Sequence, residues 1–263
     1  MRLLLLVLLF FACATSRSQQ AGKMADFYLD PVGKLYYLLT DDRLITDNPL
    51  GQNRFEFYDS SLGAPDLVDV TNPFAILLYY EAYGQIVVLD RTLSEVSRLD
   101  LFSLDDILEP AALARAADNN VWVFDGWDYR LKLLNAQGAV SQQSNDLRLE
   151  LKLVDPPDHI YVDRTAVILH FQEAQKLAIF TNYGRFETWV DLPEGERFGW
   201  HAPFLLGTSA SSSWLWRRKA PIKHDIVAQP QVQGQVVGKA LPLKEGYYQL
   251  KEAGTTVLLP WQE

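Results

Sequence analysis

The sequence predicts an all-β chain folded as a β-propeller of five to seven blades, with six favoured and a β-sandwich as the alternative. Three observations carry this. Runs of four to seven β-branched, aromatic or Leu residues alternate with polar turns along nearly all of the 263 residues. Segments 85–101, 120–138 and 176–192 superimpose as strand–turn–strand units, each an apolar run, a polar turn and a returning strand of alternating polarity. The runs that start near 34, 85, 120, 176, 213 and 255 recur every 44 residues or so, close to the 40–50 residues of a four-stranded blade. A sandwich would give similar strands without this longer repeat.

In chain order, residues 1–12 are expected to be a signal peptide. Arg2 supplies a positive start, and residues 3–12 are an unbroken apolar run, too short to span a bilayer and suited to a leader's apolar segment. Ala12 and Cys13 match the end of a bacterial lipobox, whereas Phe10 and Phe11 replace its usual Leu and small residue. Cys13, the only cysteine, is therefore the expected lipid attachment; the alternative is ordinary cleavage after Ala14 or Ser18. Two or three acyl chains at Cys13 would anchor the protein stably in a membrane. Residues 13–24 are polar and aperiodic and read as a lipid-anchored tether, leaving 25–263 as a single propeller-like domain.

The domain's strands are read from runs such as KLYYLLT (34–40), AILLYY (75–80), QIVVL (85–89), NVWVF (120–124), AVILHF (166–171), KLAIF (176–180) and SWLWR (213–217). Turns between them carry residues that accept tight backbone geometry, among them Pro31-Val32-Gly33, Asn135-Ala136-Gln137-Gly138 and Asn182-Tyr183-Gly184. Segment 104–117 stands apart. Its Ala and Leu fall at helical spacing but Pro110 interrupts them, so a short helix or an irregular insertion is expected there.

Composition excludes several classes. With 48% hydrophobic and 22% charged residues the chain is globular. A net charge of -9, with no basic stripe, argues against nucleic acid. Loss of residues 1–12 removes Arg2 and leaves 23 basic against 33 acidic residues. One Cys and four scattered His give neither a disulfide framework nor a zinc module.

The segments NPFAILLYYEAYGQIVVLDRTLSEVSRLDLF (72–102) and ARAADNNVWVFDGWDYRLKLLNAQG (114–138) resemble a family of uncharacterised Bacteroidota envelope proteins, whose sequences look like six-bladed propellers of the NHL/YVTN-like class. The resemblance covers roughly residues 25–220 and is strongest over 72–138. It implies fold and compartment and carries no activity. The residues after Cys13 lack the acidic signal associated with surface export in such bacteria, so an outer-membrane anchor facing the periplasm is expected, with secretion or a soluble periplasmic form as the alternative.

No catalytic residue, metal site or cofactor is assigned from the sequence. His159, His170, His201 and His224 stand alone, and His170 within an apolar strand is expected in the core. Carboxylates at strand ends (Asp41, Asp42, Asp90 and Asp125) are the candidates for a converging pair of the glycosidase kind, although Asp also serves there simply as a turn cap. Trp127 and Tyr129 in the turn DGWDY, and Trp200 beside His201, are the aromatic candidates for binding. The expected function is a non-catalytic binding or scaffold module of the cell envelope that engages a protein partner. A hydrolase or lyase acting on glycan or another envelope substrate through converging carboxylates, with Asp41, Asp90 and Asp125 the candidates, is the alternative.

Overall fold

The computed structural model describes residues 23–47, 54–116, 118–153, 155–210, 212–220, 223–228, 239–251 and 255–261. Cys13 and the expected signal peptide lie outside the described residues, and the first strand begins at Met24, the last residue of the expected tether.

Apolar runs separated by tight turns fold back on themselves as antiparallel meanders, and the twenty-three strands among the described residues group into six small sheets. Blade 1 is β1 (Met24–Leu29), β2 (Leu35–Leu39), β3 (Leu44–Asp47) and β4 (Arg54–Phe57). Blade 2 is β5 (Leu67–Asp69), β6 (Ile76–Tyr80), β7 (Gln85–Leu89) and β8 (Glu95–Asp100). Blade 3 is β9 (Pro110–Arg115), β10 (Val121–Asp125), β11 (Arg130–Leu134) and β12 (Val140–Gln143). Blade 4 is β13 (His159–Asp163), β14 (Ala166–Phe171), β15 (Lys176–Thr181) and β16 (Phe186–Asp191). Blade 5 is β17 (Arg197–His201), β18 (Phe204–Thr208), β19 (Ser213–Ala220) and β20 (Lys223–Ala228). Blade 6 has three described strands, β21 (Ala240–Pro242), β22 (Gly246–Leu250) and β23 (Thr256–Pro260). The molecule is a six-bladed β-propeller.

Second strands begin at Leu35, Ile76, Val121, Ala166, Phe204 and Gly246, 38–45 residues apart. The runs picked out in the sequence are irregularly spaced because they mix positions: those at 34 and 120 are second strands and those at 85, 176, 213 and 255 are third strands. The expectation of a helix or insertion at 104–117 is corrected. Pro110 opens β9, the first residue of a strand, where its missing N–H removes no essential ladder bond. Ala112, Ala114 and Ala116 then face blade 4 while Leu113 faces blade 2, a period of two that the small side chains had disguised.

First strands lie nearest the axis, where β9 meets β13 and β17 meets β21. Apolar layers fill every gap between neighbouring blades, and Phe27 and Leu29 packed with Leu241 and Leu250 close the ring between blades 1 and 6. Close approach decides two glycines. A Cβ at Gly199 would lie 1.8 Å from the carbonyl oxygen of Ala240, and one at Gly207 would lie 2.2 Å from the buried Trp214 ring.

Strand alternation gives the propeller two ends. First strands start, second-to-third turns fold, and the connections between blades run at one end, called upper here. First-to-second and third-to-fourth turns lie at the lower end.

Candidate functional site

Asp125 ends β10 at the upper end of blade 3 and is completely buried. Its Oδ1 accepts the N–H groups of Glu109 (2.9 Å) and Trp127 (3.2 Å). Its Oδ2 accepts the N–H of Leu108 (3.1 Å) and the Lys132 ammonium (2.7 Å). One carboxylate therefore pins connection 101–109 to turn 126–129, and the Gly126 N–H reinforces the join by donating to the Glu109 carbonyl at 2.7 Å. Lys132 is buried as well and donates to the Asp128 carboxylate at 2.7 Å and the Asp106 carbonyl at 2.8 Å.

Burial works to raise the Asp125 pKa, but hydrogen bonds from Lys132 and from the Leu108 and Glu109 N–H groups outweigh it, holding the carboxyl below its usual range. Burial likewise opposes a charged Lys132, and Asp125 and Asp128 more than offset it, so its pKa is raised. The pair is ionised at neutral pH.

Tyr129 takes a left-handed φ of 58°. Asp42, Gly84 and Gln175 occupy the same place before the third strands of blades 1, 2 and 4 with φ of 66°, 59° and 52°. An aromatic residue is strained there, and its contacts hold it: the ring stands edge-on to Phe124 at 4.9 Å, and the hydroxyl meets the carbonyls of Leu153 and Asp155 at 3.1 and 2.8 Å. Arg148, in the one-turn helix α1 (Arg148–Leu151), donates to the carbonyls of Trp127 (2.6 Å) and Asp128 (3.2 Å) and lies 5.4 Å over the Tyr129 ring.

This framework displays apolar side chains to water. Trp127 is 67% exposed and Leu149 89% exposed, and Leu108, Phe102 and Tyr83 are about half exposed. The segments that carry them are joined to one another. The Leu101 N–H donates to the Gly84 carbonyl at 2.8 Å, the Phe102 ring lies across Gly84, Asp125 ties Leu108 to Trp127, and Arg148 ties Trp127 to Leu149. Beside them a cleft of about 570 Å³ is lined by Asp105, Asp106, Leu108, Asp128, Lys132 and Gln142, among others.

The other residues singled out in the sequence do not assemble with this site. Asp41 is at the upper end but in blade 1, paired with Arg43 at 2.8 Å. Asp90 is at the lower end of blade 2, where it caps its turn by accepting from the Thr92 N–H, the Thr92 hydroxyl and the Ser94 N–H. The three carboxylates Asp41, Asp90 and Asp125 therefore do not converge. Tyr129 is buried rather than presented, and it supports the turn. Trp200, an aromatic candidate for binding, lies in β17 and stacks on Tyr161 at 5.0 Å, because the inner strand turns it into the gap between blades 4 and 5. His170 is in the core as expected, its Nδ1 3.2 Å from the Tyr161 hydroxyl; burial and His159 push its pKa down to about 3. No cluster of three or more His, Cys, Asp or Glu among the described residues is arranged to hold a metal. Sequence reasoning missed Lys132, Arg148, Tyr83, Phe102, Leu108 and Leu149.

No protein-family model and no curated protein matches the chain. Solved structures do match in fold. A streptogramin B lyase aligns at 13% identity over 92% of this chain and 84% of its own, with a TM-score of 0.56. A catalytically inactive virginiamycin B lyase from Staphylococcus aureus, solved with quinupristin, aligns at 11% identity over 94% and 87% (TM-score 0.55). A chain of the mitotic checkpoint complex aligns at 10% over 90% and 74% (TM-score 0.58).

Proposed function

We propose that this propeller is a non-catalytic binding module of the bacterial cell envelope, anchored through Cys13 to the periplasmic side of the outer membrane, and that it engages a protein partner with the upper end of blades 2 and 3. The envelope assignment draws on the apolar leader, the Ala12-Cys13 pair and the resemblance of residues 72–138 to Bacteroidota envelope proteins. The observation that carries the binding role is the run of exposed Tyr83, Phe102, Leu108, Trp127 and Leu149 on a framework fixed by buried polar contacts. Exposed apolar side chains grouped at one place mark interaction sites, whereas single ones do not. Solved propellers of like fold include both a lyase and a component of the mitotic checkpoint complex, so the fold itself chooses neither role. The separate turns that hold Asp41, Asp90 and Asp125 give no support to a glycan hydrolase.

The test is photo-cross-linking in the native envelope from positions 127 and 149, compared with Phe74 at the lower end, in the wild type and in Cys13→Ala. A stoichiometric envelope protein joined through 127 and 149, and lost with the anchor, supports the proposal. Cross-links confined to position 74, or none at all, overturn it.

A further inference from the structure

The apolar side chains at the upper end of blades 2 and 3 stand among carboxylates. Connections 81–84, 101–109, 126–129 and 144–158 carry nine Asp and Glu residues against two basic ones, Arg148 and Lys152. Arg148 is already engaged with the Asp146 carboxylate at 2.9 Å and with the carbonyls of Trp127 and Asp128. Lys132, the cation in the cleft wall, is buried and spent on Asp125 and Asp128. The lower-end connections of the same blades, 70–75, 90–94, 116–120 and 135–139, carry only Asp90 and Asp118 against Arg91. Negative charge is thus gathered on the end that bears Tyr83, Phe102, Leu108, Trp127 and Leu149, whereas the exposed Phe74 at the lower end of blade 2 has no such surroundings. Asp128, which lines the cleft, also keeps a buried Oδ1 without a hydrogen-bond donor among the described residues.

We infer that the partner presents to this surface a basic segment in which Lys or Arg alternates with apolar residues. The inference rests on the protein-binding role proposed above and adds the partner's chemistry. Trp127, Leu108 and Leu149 would take the apolar side chains, while Asp105, Asp106 and Asp128 would take the cations. Arg suits the site best, since its guanidinium forks onto a carboxylate and stacks on an indole face. The same surplus of carboxylates repels an anionic lipid surface, which separates this face from an ordinary membrane-inserting apolar patch. Charge complementarity of this kind acts first on the association rate and is screened by salt.

The probe is a fluorescein-labelled twelve-residue peptide of alternating Arg and Leu, titrated against the full mature protein by fluorescence anisotropy. Two control peptides replace every Arg by Glu or every Leu by Ser. The Arg-Leu peptide is expected to bind at least tenfold more tightly than either control and to lose about tenfold in affinity between 50 and 400 mM salt, as when a few ion pairs are screened. Trp127→Ala/Leu149→Ala and Asp105→Lys/Asp106→Lys are each expected to weaken it at least tenfold, while Phe74→Ala at the lower end leaves it unchanged. No binding, equal binding of the Glu peptide, insensitivity to salt, or equal loss in Phe74→Ala overturns the inference. So does tighter binding to phosphatidylglycerol vesicles than to the peptide. Cross-links from 127 and 149 to a neutral or acidic segment would sink this inference alone, leaving the binding role standing.

Discussion

Replacing Asp125 by Ala tests the framework most directly. The change removes the fully buried one of the two carboxylates on the Lys132 ammonium and strips the acceptors from three N–H groups, those of Leu108, Glu109 and Trp127. Breaking a buried ion pair by deleting one member costs about 3–5 kcal/mol. Asp128 stays 2.7 Å from Lys132, but its side chain is 35% exposed, so it compensates only in part. Water can reach turn 126–129 and recover some of the orphaned N–H groups, which otherwise cost about 1–3 kcal/mol each when buried. A net loss of about 3–4 kcal/mol follows. For a domain of this size that lowers Tm by roughly 10 °C, at 2–4 °C per kcal/mol. The double change Asp125→Asn/Lys132→Met removes both charges and keeps an acceptor for the backbone, so it should cost no more than about 2 kcal/mol. Thermal unfolding followed by circular dichroism on the mature chain measures both, and hydrogen exchange at Leu108 and Glu109 reports whether connection 101–109 has come loose. A loss below about 1 kcal/mol for Asp125→Ala, or a double variant worse than the single, would refute the claim that this pair organises the rim.

Three further outcomes follow from the same physics. Gly199→Ala forces a Cβ to within 1.8 Å of the Ala240 carbonyl oxygen, and because that neighbour is backbone the blades must part; a loss of about 3 kcal/mol or failure to fold is expected, read by urea titration. Phe27→Ala opens a cavity where blades 1 and 6 meet and should cost about 3–5 kcal/mol, with hydrogen exchange accelerated in β1 and β22 ahead of blade 3. Acid should unfold the protein through its bound carboxylates. The folded pKa of Asp125 is depressed, and that of Asp59 falls to about 2 through the Ser61 hydroxyl and Arg98. Their stabilisation is therefore complete above the unfolded carboxyl value of about 3.9 and disappears as pH falls through the folded values. Urea midpoints measured from pH 7 to pH 2 should fall less steeply for Asp125→Asn than for the wild type.

The fold was legible because blade interfaces demand apolar strands, and apolar strands leave a local mark. What the sequence blurred was position within the blade. NVWVF is a second strand and KLAIF a third, yet both are central strands packed on two sides, so they read alike. The strand PAALAR hid for the opposite reason. Ala112, Ala114 and Ala116 pack in the layer against blade 4, and a run of Ala fits a helix as readily as a strand. The helical expectation lost to pairing with β10 and packing against blade 4, neither of which is local in sequence.

The site was legible only in part. Trp127 announced itself as an aromatic residue in a turn between two strands. Its partners did not, because they depend on pairing register. Lys132 lies opposite Val123 and Asp125 opposite Arg130, so nothing in the spacing of Asp125 and Lys132 reveals that they meet at 2.7 Å. Ile107 and Leu108 make the point more sharply. They are adjacent in sequence and alike in character, yet Ile107 is buried under the connection and Leu108 faces water. Asp125 decides between them by taking the N–H groups of Leu108 and Glu109 and so fixing how the backbone turns. A well-packed apolar pair in place of Asp125 and Lys132 is often neutral or more stabilising than a buried ion pair, and stability alone gives no reason to hold Leu108 and Trp127 in solvent. An expensive buried charge pair that supports exposed apolar side chains is what the basic partner proposed above would account for.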